Sequence, residues 1–131
     1  WVSEEPSNRL RVVQYKVPDK AKKAADAEFV LSTTRLWNED MRQENIARWG
    51  RQMGVDSPKA ELIQGKFKIT LVDLSGTYKS DFEPDPIEQA RMLVAAVETG
   101  EAPWFFKLIG PAATVTGWRD EFVAMIKAAG P

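Results

Sequence analysis

The residues best suited to chemistry in this 131-residue chain are the carboxylates of Asp81-Phe82-Glu83-Pro84-Asp85-Pro86, with Glu88 two positions further on. Asp81, Glu83 and Asp85 alternate along the segment and supply hard oxygen ligands of the kind calcium accepts. The EF-hand pattern is absent, because no glycine supplies its sharp turn and Pro84 and Pro86 stiffen the chain. Asp81, Glu83 and Asp85 are therefore candidate ligands of a weak divalent site on a solvated loop. With Asp73 they also make the one cluster that a small carboxylate- or metal-dependent hydrolytic enzyme could use here. Acid-base work needs a concave, partly dry setting, which a proline-rich surface loop seldom provides. The chain has no cysteine and no histidine. That removes thiol nucleophiles, imidazole bases, the usual catalytic triad, structural zinc and most transition-metal sites. No residue is assigned a catalytic role, and no cofactor is called for.

The remaining candidates are binding residues. Asn45 falls on the apolar side of a predicted helix between Met41 and Trp49, where its amide must find hydrogen-bond partners. A structural bond to a neighbouring backbone edge is the plain expectation, and ligand binding with Arg48 beside it is the alternative. Trp37, at the entrance to the same helix, is a candidate contact for a protein partner. Lys20, Lys22 and Lys23 form a basic patch too short for nucleic acid without interleaved aromatics, and are expected to serve solubility. With 18 basic against 19 acidic residues, the chain lacks the positive field of a nucleic-acid binder. The turn Gly110-Pro111-Ala112-Ala113-Thr114 lacks the glycine spacing and lysine of a phosphate loop.

These residues must be held by elements that the pattern predicts in order. Residues 1–8 read as a loosely held lead-in. Alternation predicts strands over 9–17 and 27–34, joined by a solvated loop and paired as a hairpin. Asn38 as cap, Glu39 and Asp40 in the first turn, and Met41, Asn45, Ile46, Trp49 and Met53 at helical spacing predict a helix over 38–53, ended by Gly54. Arg42, Arg48 and Arg51 are expected on its exposed face. Two strands follow around a tight turn at Gly65, 60–64 and 66–74. Residues 77–89 are expected as a surface loop because Pro84 and Pro86 bar helix and central strand alike. The apolar stretches 91–98 and 104–109 predict a buried hairpin. A last helix over 112–129 presents Val115, Trp118, Phe122, Met125, Ile126 and Ala129, with Trp118 and Phe122 set to cover at least one of the two strand faces on which Trp104, Phe105 and Phe106 fall. The order β-β-α-β-β-β-β-α is that of a single α+β domain, an antiparallel sheet flanked by two main helices.

Several stretches together resemble a known family: Leu10-Arg11-Val12-Val13-Gln14-Tyr15-Lys16-Val17-Pro18, Asp26-Ala27-Glu28, Glu44-Asn45-Ile46-Ala47-Arg48-Trp49, Ile69-Thr70-Leu71-Val72-Asp73-Leu74-Ser75-Gly76-Thr77-Tyr78 and Trp104-Phe105-Phe106-Lys107-Leu108-Ile109-Gly110-Pro111. Over residues 9–127 they are similar to bacterial, uncharacterised exported or lipoprotein-type small domains. The element order resembles the PsbP-like fold, an α/β/α sandwich whose members are binding or assembly modules. The resemblance implies a non-enzymatic module that engages a protein partner in the periplasm or cell envelope. The start at Trp1 rather than Met fits that setting if a signal peptide or lipobox preceded it. No apolar run approaches the roughly 20 residues of a membrane-spanning helix.

Overall fold

A computed structural model describes residues 2–4, 11–34, 38–79, 85–98 and 103–128. The elements are β1 Val2–Glu4, β2 Arg11–Val17, β3 Ala27–Thr33, α1 Glu39–Met53, β4 Ala60–Gln64, β5 Lys68–Tyr78, β6 Ile87–Glu98, β7 Pro103–Pro111 and α2 Ala112–Ala128. All seven strands join one sheet in the order β1-β2-β3-β7-β6-β5-β4. Every pairing in it is antiparallel. Strands and helices are segregated along the chain, so the class is α+β, as the sequence predicts.

Three expectations about the elements need correction. The lead-in holds a strand, because Val2, Ser3 and Glu4 pair with Lys16, Tyr15 and Gln14, and the order therefore gains a strand at its start. The expected loop over 77–89 is shorter, since β5 continues to Tyr78 and β6 begins at Ile87, the two residues facing each other. Between 64 and 68 the turn takes three residues, so Phe67 belongs to the turn rather than to the strand.

Helix α1 forms where its caps place it. The Asn38 side chain accepts from the Met41 N–H at 2.9 Å, and Gly54 closes the other end at φ 69°, a left-handed conformation that glycine adopts without steric cost. Its inner stripe, Ile46, Trp49 and Met53, packs on Val72 and Leu74 of β5 and on Met92 and Val94 of β6. Trp49 meets Phe105 of β7 edge-on at 6.2 Å between ring centroids. The opposite parity of the same strands, Ile69 and Leu71 of β5 and Leu93 and Ala95 of β6, packs on Val115, Phe122 and Ile126 of α2. The two helices thus lie on opposite faces of the sheet. Covered on both sides, β6 is buried continuously from Met92 to Val97, which is why it reads as an apolar run and not an alternation. Burying a side chain of Phe122's size contributes about 1.5–3 kcal/mol.

Gly76 allows α1 to seat this closely. A Cβ at that position would stand 2.2 Å from the Met53 carbonyl oxygen. Just beyond it, the Lys79 N–H donates to the Gln52 carbonyl at 2.7 Å, tying the helix end to the end of β5.

Candidate functional site

The residues of α1 that point away from the sheet recur at helical spacing: Met41, Glu44, Asn45, Ala47, Arg48 and Arg51 line an open depression of about 510 Å³. Met41 and Asn45 are half-buried there, while Glu44, Arg48 and Arg51 are exposed. The Asn45 amide donates to the Met41 carbonyl at 2.8 Å, and its oxygen accepts from Arg48 Nη2 at 2.7 Å. The expected bond of Asn45 to a neighbouring backbone edge is thus corrected to one within its own helix, and Asn45 also holds Arg48 by a hydrogen bond. The structure therefore brings Asn45 and Arg48 together; Trp37 lies outside the described residues. The sequence set Met41 beside Asn45 but did not join Glu44 and Arg51 to the pair, although the i, i+3, i+7 spacing of Met41, Glu44 and Arg48 was available as a signal.

Arg42 departs from the expected exposed face. It donates through Nε to Glu98 Oε1 at 3.0 Å, makes closer contacts to Glu98 and Glu39 through its two Nη atoms, and has a side chain only 17% exposed. Burial opposes its charge, but the hydrogen bond and charge of Glu98, reinforced by Glu39, outweigh that and raise the guanidinium above its usual value. Lys68 stands 3.9 Å from the other Glu98 oxygen. This cluster fixes the start of α1 to the end of β6.

Of the carboxylate candidates that are described, Asp73 and Asp85 are not brought together. Asp81 and Glu83 lie outside the described residues. Asp85 is exposed ahead of β6, and Glu88 is exposed within it. Asp73 lies five positions back along β5 from Tyr78, the partner of Ile87, a distance of roughly 17 Å along the strand. Both its oxygens are engaged by Arg91, at 2.8 Å from Nε and 2.5 Å from Nη2, with Arg119 at 3.9 Å. Arg91 also donates to Thr116 Oγ1 at 2.9 Å, so the pair clamps α2 to the sheet. The hydrogen bonds to Asp73 raise the Arg91 guanidinium further. Among the described residues no group of three or more His, Cys, Asp or Glu is placed to hold a metal ion.

The supposed solubility lysines include a structural one. Lys20 lies 4.5 Å from the centroid of the Trp118 ring and 2.5 Å from Glu121 Oε1, and the hydrogen bond holds the Glu121 carboxyl below its usual range. Trp118 Nε1 donates to the Pro18 carbonyl at 2.7 Å. Asp19 organises the rest of the β2–β3 connection, its Oδ2 accepting from the N–H groups of Ala24 at 2.9 Å and Lys23 at 3.0 Å. Those bonds hold the Asp19 carboxyl below its usual range. A smaller groove of about 220 Å³ opens at the sheet end nearby, lined by Lys16, Asp26, Glu28 and Tyr78 among others. Its polar residues come from three separate strands and one loop, so no local spacing announced it.

No protein-family model and no curated protein matches the chain. Among solved structures it is similar to PA94 from Pseudomonas aeruginosa, a protein of unknown function offered as a candidate regulator. The TM-score is 0.60 at 15% sequence identity, over 98% of this chain and 88% of that one. At that identity the likeness is one of fold alone. Among the described residues no helix is long and apolar enough to cross a membrane.

Proposed function

We propose that this chain is a non-enzymatic binding or assembly module that engages a protein partner through the outward stripe of α1. The observation that carries the reading is the half-buried Met41 set beside the Asn45–Arg48 hydrogen-bonded pair in an open depression. Methionine and arginine are enriched where proteins meet, and a guanidinium held by its own helix loses less freedom on docking. An envelope setting and a PsbP-like identity for the sandwich rest on the sequence resemblance and belong to the same proposal. The hydrolytic alternative gains no support from Asp73, whose carboxylate is committed to Arg91.

Site-specific photocrosslinking in cells tests this. A benzophenone side chain in place of exposed Ala47, which lines the same depression, is expected to yield one discrete protein adduct, weakened about tenfold by Met41→Asp, the loss of roughly 1.4 kcal/mol of binding. The same probe in place of exposed Ala113 on α2 is expected to yield none. No adduct from the Ala47 position, or the same adducts from both, refutes the assignment. Fractionation that leaves the native protein in the cytosol refutes the envelope setting.

A further inference from the structure

The large apolar side chains exposed among the described residues are Val2, at 63%, and Leu62, at 72%, and they sit on the two outer strands of the sheet. Strand β4, which carries Leu62, is paired among the described residues with β5 alone and keeps an unbroken register from Ala60 to Gln64. Natural edge strands are usually blunted by lysine, proline or a bulge, because their outer row of N–H and C=O groups can template another strand. Residues 60–64 contain neither lysine nor proline, and Pro58 and Lys59 stop just short of them.

We propose that β4 pairs antiparallel with β4 of a second copy of this chain about a twofold axis through Leu62, making one continuous sheet. The self-complementarity of Ala60-Glu61-Leu62-Ile63-Gln64 selects that occupant. Centred on Leu62, the pairing sets Leu62 against its own copy, small Ala60 against long Gln64, and Glu61 against Ile63. No two like charges stand directly opposite, whereas a pairing centred on Glu61 would oppose two carboxylates, an arrangement that destabilises antiparallel ladders. Only the Leu62-centred register also uses all five residues of β4. The contact is isologous and closes at two copies. Pairing β4 with the other edge, β1, would be heterologous, would not close at two copies, and would find three residues to bond among those described. A five-residue ladder buries less than a stable obligate dimer needs, so the association is concentration-dependent. This inference does not depend on the α1 surface proposed above.

Sedimentation of the 131-residue chain from about 10 µM to about 1 mM, the span in which so small an interface associates, reads the first outcome. A monomer–dimer equilibrium is expected, and Leu62→Lys, an exposed change that leaves the circular dichroism spectrum intact, is expected to abolish it. A monomer throughout, or a dimer indifferent to Leu62→Lys, overturns the proposal. Because the chain has no cysteine, a single thiol reports the register directly. Directly opposed residues have Cα atoms about 4.5–5.5 Å apart, within disulfide range, whereas diagonal neighbours at about 7–8 Å fall outside it. The Leu62→Cys chain is expected to form a disulfide dimer on mild oxidation and the Glu61→Cys chain is not. The reverse result overturns the register, and crosslinking between Val2→Cys and Leu62→Cys chains overturns the choice of occupant.

Discussion

Replacing Gly76 by alanine is the most demanding test of how α1 is seated. In a strand the substitution should help by about 0.5–1 kcal/mol, because alanine has less backbone freedom to lose. The structure reverses that sign. The new Cβ would meet the Met53 carbonyl oxygen at 2.2 Å, and the obstacle is backbone, which no rotamer change can move aside. Helix and strand must separate by roughly 1 Å to reach ordinary contact, and overpacking of this kind costs about 1–3 kcal/mol. The same displacement weakens the hydrogen bond from Lys79 N–H to Gln52 O, worth about 1 kcal/mol. The net loss is about 2–3 kcal/mol. Gly54→Ala is the control, because a Cβ there meets nothing within 4 Å while φ is +69°. It suffers left-handed strain alone, about 1 kcal/mol. A chain of 131 residues unfolds with an entropy of roughly 0.28 kcal/mol/K, so each kcal/mol moves Tm by about 3.6 °C. Differential scanning calorimetry should therefore show a drop of about 7–11 °C for Gly76→Ala and about 4 °C for Gly54→Ala. If Gly76→Ala melts at or above Gly54→Ala, close seating of α1 is not what Gly76 provides.

Three further outcomes follow from the ion pairs and the loops. Glu98→Ala leaves the largely buried Arg42 without its main partner and should lower stability by about 1–3 kcal/mol in urea titration, an effect that persists in high salt as a solvent-exposed pair would not. Asp19 has a depressed carboxyl in the folded state, so its stabilisation is present above the ordinary carboxylate range and is lost as pH falls through the folded value. The Tm difference between the parent chain and Asp19→Asn should accordingly shrink below about pH 4, and a difference constant with pH refutes this. Calcium titrated calorimetrically should bind no tighter than about 10⁻⁴ M at the segment holding Asp81, Glu83 and Asp85, and a micromolar constant lost on Asp85→Asn would reveal a built site.

What the sequence disclosed and what it hid divide along chain separation. Asn38 and Gly54 mark the ends of α1 because capping is local chemistry, and β5 and β6 declare themselves through apolar content. Strand β1 is invisible, since three residues become a strand only by pairing with Lys16, Tyr15 and Gln14. The start of β6 is masked by Glu88 and Gln89, the latter at φ 48°, which no alternation rule anticipates. At the site, Arg42 looks like any surface arginine until its partner 56 positions away is in view. Lys20 likewise passes for a solubilising residue until Trp118 and Glu121 arrive from the far end of the chain. Asn45 and Arg48 were legible together because they share one helical turn.

The sheet order also carries a consequence for how the molecule assembles. Strands β1 to β3 form one meander and β4 to β7 another, each built by neighbours in sequence, and a single seam between β3 and β7 joins them. At that seam Thr33 Oγ1 donates to the Pro103 carbonyl across 70 positions of chain. Loop-closure entropy makes such a junction slower to form than either meander. Until it closes, the outer edges of β3 and β7 stand open, and a nascent chain in that interval exposes these two internal edges in addition to those of β1 and β4.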